Sequence, residues 1–126
     1  MARGPMATDD VRFPHVLFLP VAKPSEQVWQ PRADVYRVPG GWLVKLELAG
    51  VHPDDVRLAT RGTMLCVQGT RRDVRVQECL HCHRLEIDYN RFERLLDLPG
   101  LSESAEIGVT YRDGMLWIRI QTENQR

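Results

Sequence analysis

The chain has 126 residues with 17 basic and 17 acidic side chains, so its formal net charge is zero. This length suits one domain with one ordinary core. The balanced charge disfavours nucleic-acid binding, which requires a concentration of positive charge. The sequence also lacks an apolar run of the ~20 residues that a membrane-spanning helix requires. We therefore expect one globular domain with neither nucleic acid nor membrane as a partner.

The cysteine content and the N-terminal residues indicate the cellular compartment of the protein. The three cysteines, Cys66, Cys79 and Cys82, are too few and too unevenly spaced for a disulfide framework. Asp9 and Asp10 interrupt the N-terminus before the apolar part of a signal peptide could begin. Both observations predict a cytoplasmic protein.

Residues 1–28 differ from the rest of the chain. Pro14, Pro20 and Pro24 prevent a long helix there, and the apolar residues follow no clean period. Several large apolar side chains in this segment are nevertheless costly to leave in water. They are Phe13, Val16, Leu17, Phe18 and Leu19. One interpretation is a disordered arm without a role, but we favour a flexible apolar arm that binds client proteins or other copies of the chain.

From residue 29 onwards, apolar residues recur at every second position, the period that turns one face of a β-strand towards a core. The predicted strands cover residues 33–38, 42–48, 56–61, 65–69, 92–98, 107–111 and 116–120. The last two form a hairpin around Asp113 and Gly114, which supply the positive φ angles of a two-residue turn. Seven or eight short strands without a long helix predict an all-β fold, an immunoglobulin-like β-sandwich over residues 29–122 with a short tail, 123–126.

Arg94 interrupts the apolar face between Phe92 and Leu96. A guanidinium in a partly buried position needs a partner, because an unpaired buried charge is very costly. Backbone carbonyls or a carboxylate could meet this need. We expect a carboxylate, with Glu86 or Glu78 of a second subunit as the candidates.

Five short motifs, in order over residues 29–116, resemble the alpha-crystallin domain of the small heat-shock proteins. They are Trp29-x-Pro31-x-x-Asp34-Val35-Tyr36, Leu46-x-Leu48-Ala49-Gly50-Val51-x-x-x-Asp55-Val56, Leu65-x-Val67-x-Gly69-Thr70-Arg71, Arg84-x-Glu86 with Tyr89-Asn90-x-Phe92-x-Arg94-x-Leu96-x-Leu98-Pro99, and Val109-x-x-x-Asp113-Gly114-Met115-Leu116. The chain departs from the family pattern at Asn90, where glycine is usual. It also ends without the usual Ile-x-Ile/Val tail motif, so we expect a homodimer or small oligomer rather than a large shell.

The resemblance implies an ATP-independent chaperone, a holdase that binds partly unfolded client proteins under stress and prevents their aggregation. Such a protein is not an enzyme and needs no cofactor, and the phosphate-binding motif GxxxxGK[ST] is indeed missing from the sequence. The resemblance also implies a client-binding groove between two strands and a dimer interface to which the loop of residues 72–83 contributes. The groove residues are Val56, Leu58, Thr60, Ile107, Val109 and Tyr111. The dimer-interface residues are Val35, Tyr36, Glu78 and Arg94.

The segment from Cys79 through His81 and Cys82 to His83 lies outside the resemblance. Its side chains suit zinc, but a structural zinc site usually draws on a second cluster, which the sequence lacks. In an extended chain the two cysteines would lie ~10 Å apart on opposite faces, so sharing a metal or a disulfide would require a turn at His81. We expect incidental loop composition, with a metal site or a redox-responsive pair as alternatives.

Two further classes of function compete with the holdase. A co-chaperone sandwich of the CS type would recruit a larger chaperone instead of clients, but the motifs around Phe92 and Gly114 favour the small heat-shock interpretation. A serine hydrolase using Ser102 or Ser104 would need a nucleophile-elbow motif, which the sequence lacks.

Overall fold

The structure is a computed structural model that describes residues 11–12, 28–74 and 76–122. Within these residues the strands are β1 (Val11–Arg12), β2 (Ala33–Val38), β3 (Gly41–Glu47), β4 (Val56–Arg61), β5 (Met64–Arg71), β6 (Asn90–Asp97), β7 (Glu106–Arg112) and β8 (Met115–Gln121). A 3-10 turn, Pro53–Asp55, precedes β4. The apolar side chains predicted for the arm, at residues 13 and 16–19, and the predicted tail, 123–126, lie outside the described residues.

The strands form two antiparallel sheets, as the alternating pattern predicts. One sheet has the order β1-β7-β8-β3-β2 and the other has the order β4-β5-β6. Their inner faces enclose one core of aliphatic side chains with Phe92. The all-β, immunoglobulin-like sandwich is therefore confirmed, and no helix in the described part of the chain is long and apolar enough to cross a membrane.

The hairpin of β7 and β8 turns where the sequence indicates. Arg112 pairs with Met115, and the two residues between them have positive φ angles, 57° at Asp113 and 77° at Gly114. This register turns Val109 and Ile118 together into the core, where both are buried. The turn thus fixes which face of the hairpin is apolar.

The connection between β5 and β6 is the long irregular part of the domain. Its described residues, 72–74 and 76–89, form no strand in the single chain. By contrast, β6 has the predicted apolar face, with Phe92, Leu96 and then Leu98 buried.

Candidate functional site

The edge strand β2 presents an apolar side chain that the sandwich leaves open. Among the described strands β2 pairs only with β3. Val35 belongs to the same cross-strand row as Val44 and Ile118, which are fully buried, yet Val35 is 40% exposed. Among the described strands, five lie in this sheet and three in the other, which agrees with the partial exposure of Val35 at the edge. Tyr36, on the other face of β2, is 42% exposed.

The loop between β5 and β6 provides a second exposed apolar surface, which we call the apolar loop. Five of its large apolar side chains are mostly in water, and Leu80 is 98% exposed. They are Val74, Val76, Leu80, Leu85 and Ile87. Exposed side chains of this size and number on one segment are typical of a surface that binds protein.

Two arginines anchor the base of the apolar loop to the sandwich. Arg71 donates from Nε to the carbonyl of Ala49 (3.0 Å) and from Nη1 to the carbonyl of Asp88 (2.9 Å). Arg72 forms a bidentate pair with Asp55, with both N–O distances 2.8 Å, and this pairing lowers the pKa of the Asp55 carboxyl below its usual range. Asp55 therefore helps to anchor the loop.

Arg94 finds a backbone partner in place of the expected carboxylate. Its Nη1 donates to the carbonyl of Pro31 at 2.9 Å, and the side chain is half-buried. The candidate Glu86 was wrong, because it is exposed and pairs with Arg84 at 3.0 Å. A carbonyl suffices here since the guanidinium keeps part of its hydration. The contact of Arg94 with Glu78 of a second subunit stays a prediction.

The client groove between β4 and β7 stays a prediction. Its residues lie on β4, in the three-stranded sheet, and on β7, in the five-stranded sheet. The groove side chains mostly face inwards. Val56, Leu58, Thr60 and Val109 are buried, while Ile107 and Tyr111 are half-buried.

The edge of β7 is already partly paired within the chain. Val11 lies opposite Tyr111 and Arg12 opposite Thr110 in an antiparallel pairing. The sequence did not predict this short strand, because a two-residue element carries no periodic signal. The remaining described partners of β7 are in β8 alone, so the backbone of Glu106 to Val109 is the open part of this edge.

The outer face of the three-stranded sheet carries a buried carboxylate that the sequence pattern does not predict. Glu93 is only 6% exposed, and its Oε2 accepts hydrogen bonds from Gln68 Nε2 (2.8 Å) and Cys66 Sγ (3.4 Å). Its Oε1 has no hydrogen-bond partner among the described residues. Burial, with the nearby Glu93 carboxylate, raises the pKa of the Cys66 thiol to about 12. Cys66 is thus a side chain packed within the sandwich.

The segment that includes Cys79 and Cys82 does not assemble a metal site. Within the described residues no group of three or more His, Cys, Asp or Glu side chains could hold an ion. The chain does bend between the cysteines, at Leu80 and His81, and both thiols are exposed. Partial desolvation and the neighbouring Cys82 thiol raise the pKa of Cys79. The segment between the two cysteines is therefore bent and not fully extended.

Comparison with known proteins agrees with the geometry. Small heat shock protein C2 of Rickettsia felis is 24% identical over 106 residues, which cover 84% of this chain and 69% of that protein. The 22.7 kDa class IV heat shock protein of Pisum sativum is 24% identical, covering 78% of this chain and 50% of that protein. Among solved structures, hspA of Xanthomonas axonopodis matches with a TM-score of 0.62 and 28% identity, over 74% of this chain and 93% of that one.

A second bacterial structure, a small heat-shock protein from Xylella fastidiosa with a distinct high-order structure, matches with a TM-score of 0.62 and 26% identity. This match covers 78% of our chain and 90% of the other. The family model of the Hsp20/alpha crystallin family matches residues 34–126, nearly the whole of the sandwich and most of the chain. The chain belongs to the Hsp20/alpha crystallin family, the small heat shock proteins.

Proposed function

We propose that this protein is an ATP-independent holdase that binds partly unfolded proteins and keeps them from aggregating. The match of residues 34–126 to a family of chaperones rather than enzymes carries the proposal. The half-buried Ile107 and Tyr111 of β7 support it, since a client's own apolar segments could pack on them. The CS-type co-chaperone alternative gains no support from the comparisons.

Clients would bind at two places. One is the arm, residues 1–28, whose apolar side chains at positions 13 and 16–19 would bury apolar surface against the client. The other is the groove, where an extended client segment would pair with the open backbone of β7 and pack on Ile107 and Tyr111, the two groove residues that stay half-buried. Recognition through backbone hydrogen bonds tolerates many sequences, which a holdase requires.

The protein would work as a homodimer or small oligomer. The open edge of β2, with Val35 and Tyr36 beside it, would accept the apolar loop of a second copy, including Glu78. Such a pairing would protect an unpaired strand edge and an apolar loop at the same time. It would also bring the partner's Glu78 near Arg94, whose guanidinium donates to the carbonyl of Pro31 within the described residues.

The test is suppression of heat-induced aggregation of an unrelated client, followed by light scattering near equimolar ratio. We expect protection that is the same with and without ATP. Leu17→Ser/Phe18→Ser in the full chain should protect less, whereas Arg57→Ser, which changes an exposed polar position on β4, is the matched control and should protect like the wild type. Strict dependence on ATP, or no protection by the wild type, would refute the holdase.

A further inference from the structure

Two free cysteine thiols lie in the middle of the apolar loop, and they have no role in the proposed holdase activity. Cys79 and Cys82 are both exposed, three positions apart, while the third cysteine, Cys66, is buried in the sandwich. Arg71 and Arg72 fix the loop at its base. The paired thiols therefore lie on a segment that is held at its start and is accessible to solutes in its middle.

The backbone conformation brings the two cysteines towards each other. In an extended chain, residues three apart are separated by ~10 Å, which exceeds the roughly 7 Å between Cα atoms that a disulfide permits. Here the chain makes a turn at Gln77 and Glu78 and bends at both intervening residues, Leu80 and His81. The Cys82 thiol lies near enough to contribute to the raised pKa of Cys79.

The surroundings favour thiol chemistry over metal binding. Two histidines flank Cys82, yet within the described residues no third ligand joins the pair to make a site for an ion. Both thiols are exposed and open to a small reagent. A pair of accessible thiols on a bend is suited to forming a small disulfide ring.

We propose that Cys79 and Cys82 are a reversible modification site that reacts with low-molecular-weight disulfides to form an intramolecular disulfide. One thiolate attacks the reagent R–S–S–R, forms a mixed disulfide and releases one thiolate RS⁻. The second cysteine thiolate then attacks the protein sulfur of the mixed disulfide and expels the second RS⁻. The two protein thiols are oxidised and lose two protons and two electrons, and the reagent is reduced to two thiols.

The disulfide would change the shape that the loop can adopt, a consequence that rests on the proposed function. Pairing with a partner's β2 requires an extended segment, in which residues 79 and 82 stand ~10 Å apart. The disulfide holds the two residues closer than that. Oxidation should therefore prevent residues 79–82 from joining a strand and weaken the dimer.

The experiment uses the full-length protein, equilibrated with oxidised glutathione or kept reduced. Intact-mass measurement should show loss of two hydrogen atoms, and alkylation after denaturation should find one thiol, on Cys66. Cys79→Ser and Cys82→Ser should each stop at the glutathione mixed disulfide. Cys66→Ser is the matched control and should still lose two hydrogens. The rate should rise from pH 7 to pH 8.5, because the attacking species is the thiolate.

Two results would overturn the site: no loss of hydrogens under oxidation, or disulfides that link two chains on a non-reducing gel. Sedimentation tests the consequence, and we expect the dimer Kd to rise at least about tenfold on oxidation of the wild type and not of Cys79→Ser. An unchanged Kd with the disulfide formed would refute the coupling to the dimer. Client protection, measured on the reduced protein, tests the holdase separately.

Discussion

Cys66 shows how burial decides the chemistry of a single thiol. It is 1% exposed in the middle of β5 and donates to Glu93, so an ionised sulfur there would lose its hydration and face a carboxylate. Both effects favour the neutral thiol. Cys79, with the same side chain on an exposed loop, remains open to reagents.

This burial predicts a loss of stability at high pH. The pKa of Cys66 is about 12 in the folded chain, whereas the unfolded chain should show the ordinary value near ~8.5. Above that value the unfolded state releases a proton that the folded state keeps, so the free energy of unfolding falls as pH rises towards 12. Between pH 7 and pH 10, Cys66 should contribute a loss of about 1–2 kcal/mol.

Cys66→Ser is the reference variant because a hydroxyl still donates to Glu93 and does not ionise in this range. Urea unfolding in reducing buffer at pH 7 and pH 10 measures both proteins. The wild type should lose more stability than the variant between the two pH values. Equal losses would show that the Cys66 thiol ionises as easily in the folded protein as in the unfolded one.

Arg94 and Glu93 show which properties of single residues a local sequence pattern cannot predict. The alternation around Arg94 correctly indicated a half-buried charge in need of a partner, but the partner, Pro31, is 63 positions away and offers only its carbonyl. Glu93 is the converse case, since its position in β6 alternates with the apolar residues and predicts exposure. Its burial depends on its cross-strand row with Gln68, which no local pattern contains.

At the scale of elements, the close approach of β3 to β8 depends on one glycine. Gly41 begins β3 opposite Gln121, and a Cβ atom placed on it would overlap the carbonyl oxygen of Ile120. Gly108 in β7 is different, because a Cβ atom there would meet nothing within 4 Å. Gly41 is therefore required by the close approach of two strands, whereas Gly108 is not.

Alanine substitutions should separate the two. Gly41→Ala must push β3 from β8 and should lower the free energy of unfolding by at least ~2 kcal/mol. Gly108→Ala should leave it within ~1 kcal/mol, in the stabilising direction, since alanine restricts the unfolded chain. Urea unfolding of both variants is the measurement. Equal effects would mean that Gly41 is not in contact with Ile120.

Strands proved more predictable than the segments that join them. β3 and β8 alternate because one face of each packs on the core, and their predicted bounds agree with the structure to within one residue. The two-residue β1 and the bends around His81 carry no period, because they depend on pairing and on local turns. The groove residues were located by resemblance, but their inward orientation follows from the packing of β4 on the core.

For the whole molecule, the unequal size of the two sheets has a consequence for assembly. Five strands face three, so the row of Val35, Val44 and Ile118 runs from the core to an uncovered end. The same chain carries an apolar loop that packs on none of this core. An open core edge and an unused apolar segment are complementary surfaces on one chain, which favours association of two copies in which each covers the other.

A charge at the open edge should therefore dissociate the dimer. In Val35→Lys the ammonium would stand on the interior side of β2, where a partner's apolar side chains would have to remove its water. We expect the dimer Kd to rise at least about tenfold, measured by sedimentation over a range of protein concentrations.

Leu95→Lys is the matched control, because Leu95 is also 40% exposed but lies on the outer face of β6. Because both side chains are already partly in water, each variant should keep its folding stability within ~1 kcal/mol. If Val35→Lys assembles like Leu95→Lys and the wild type, the dimer does not form through β2.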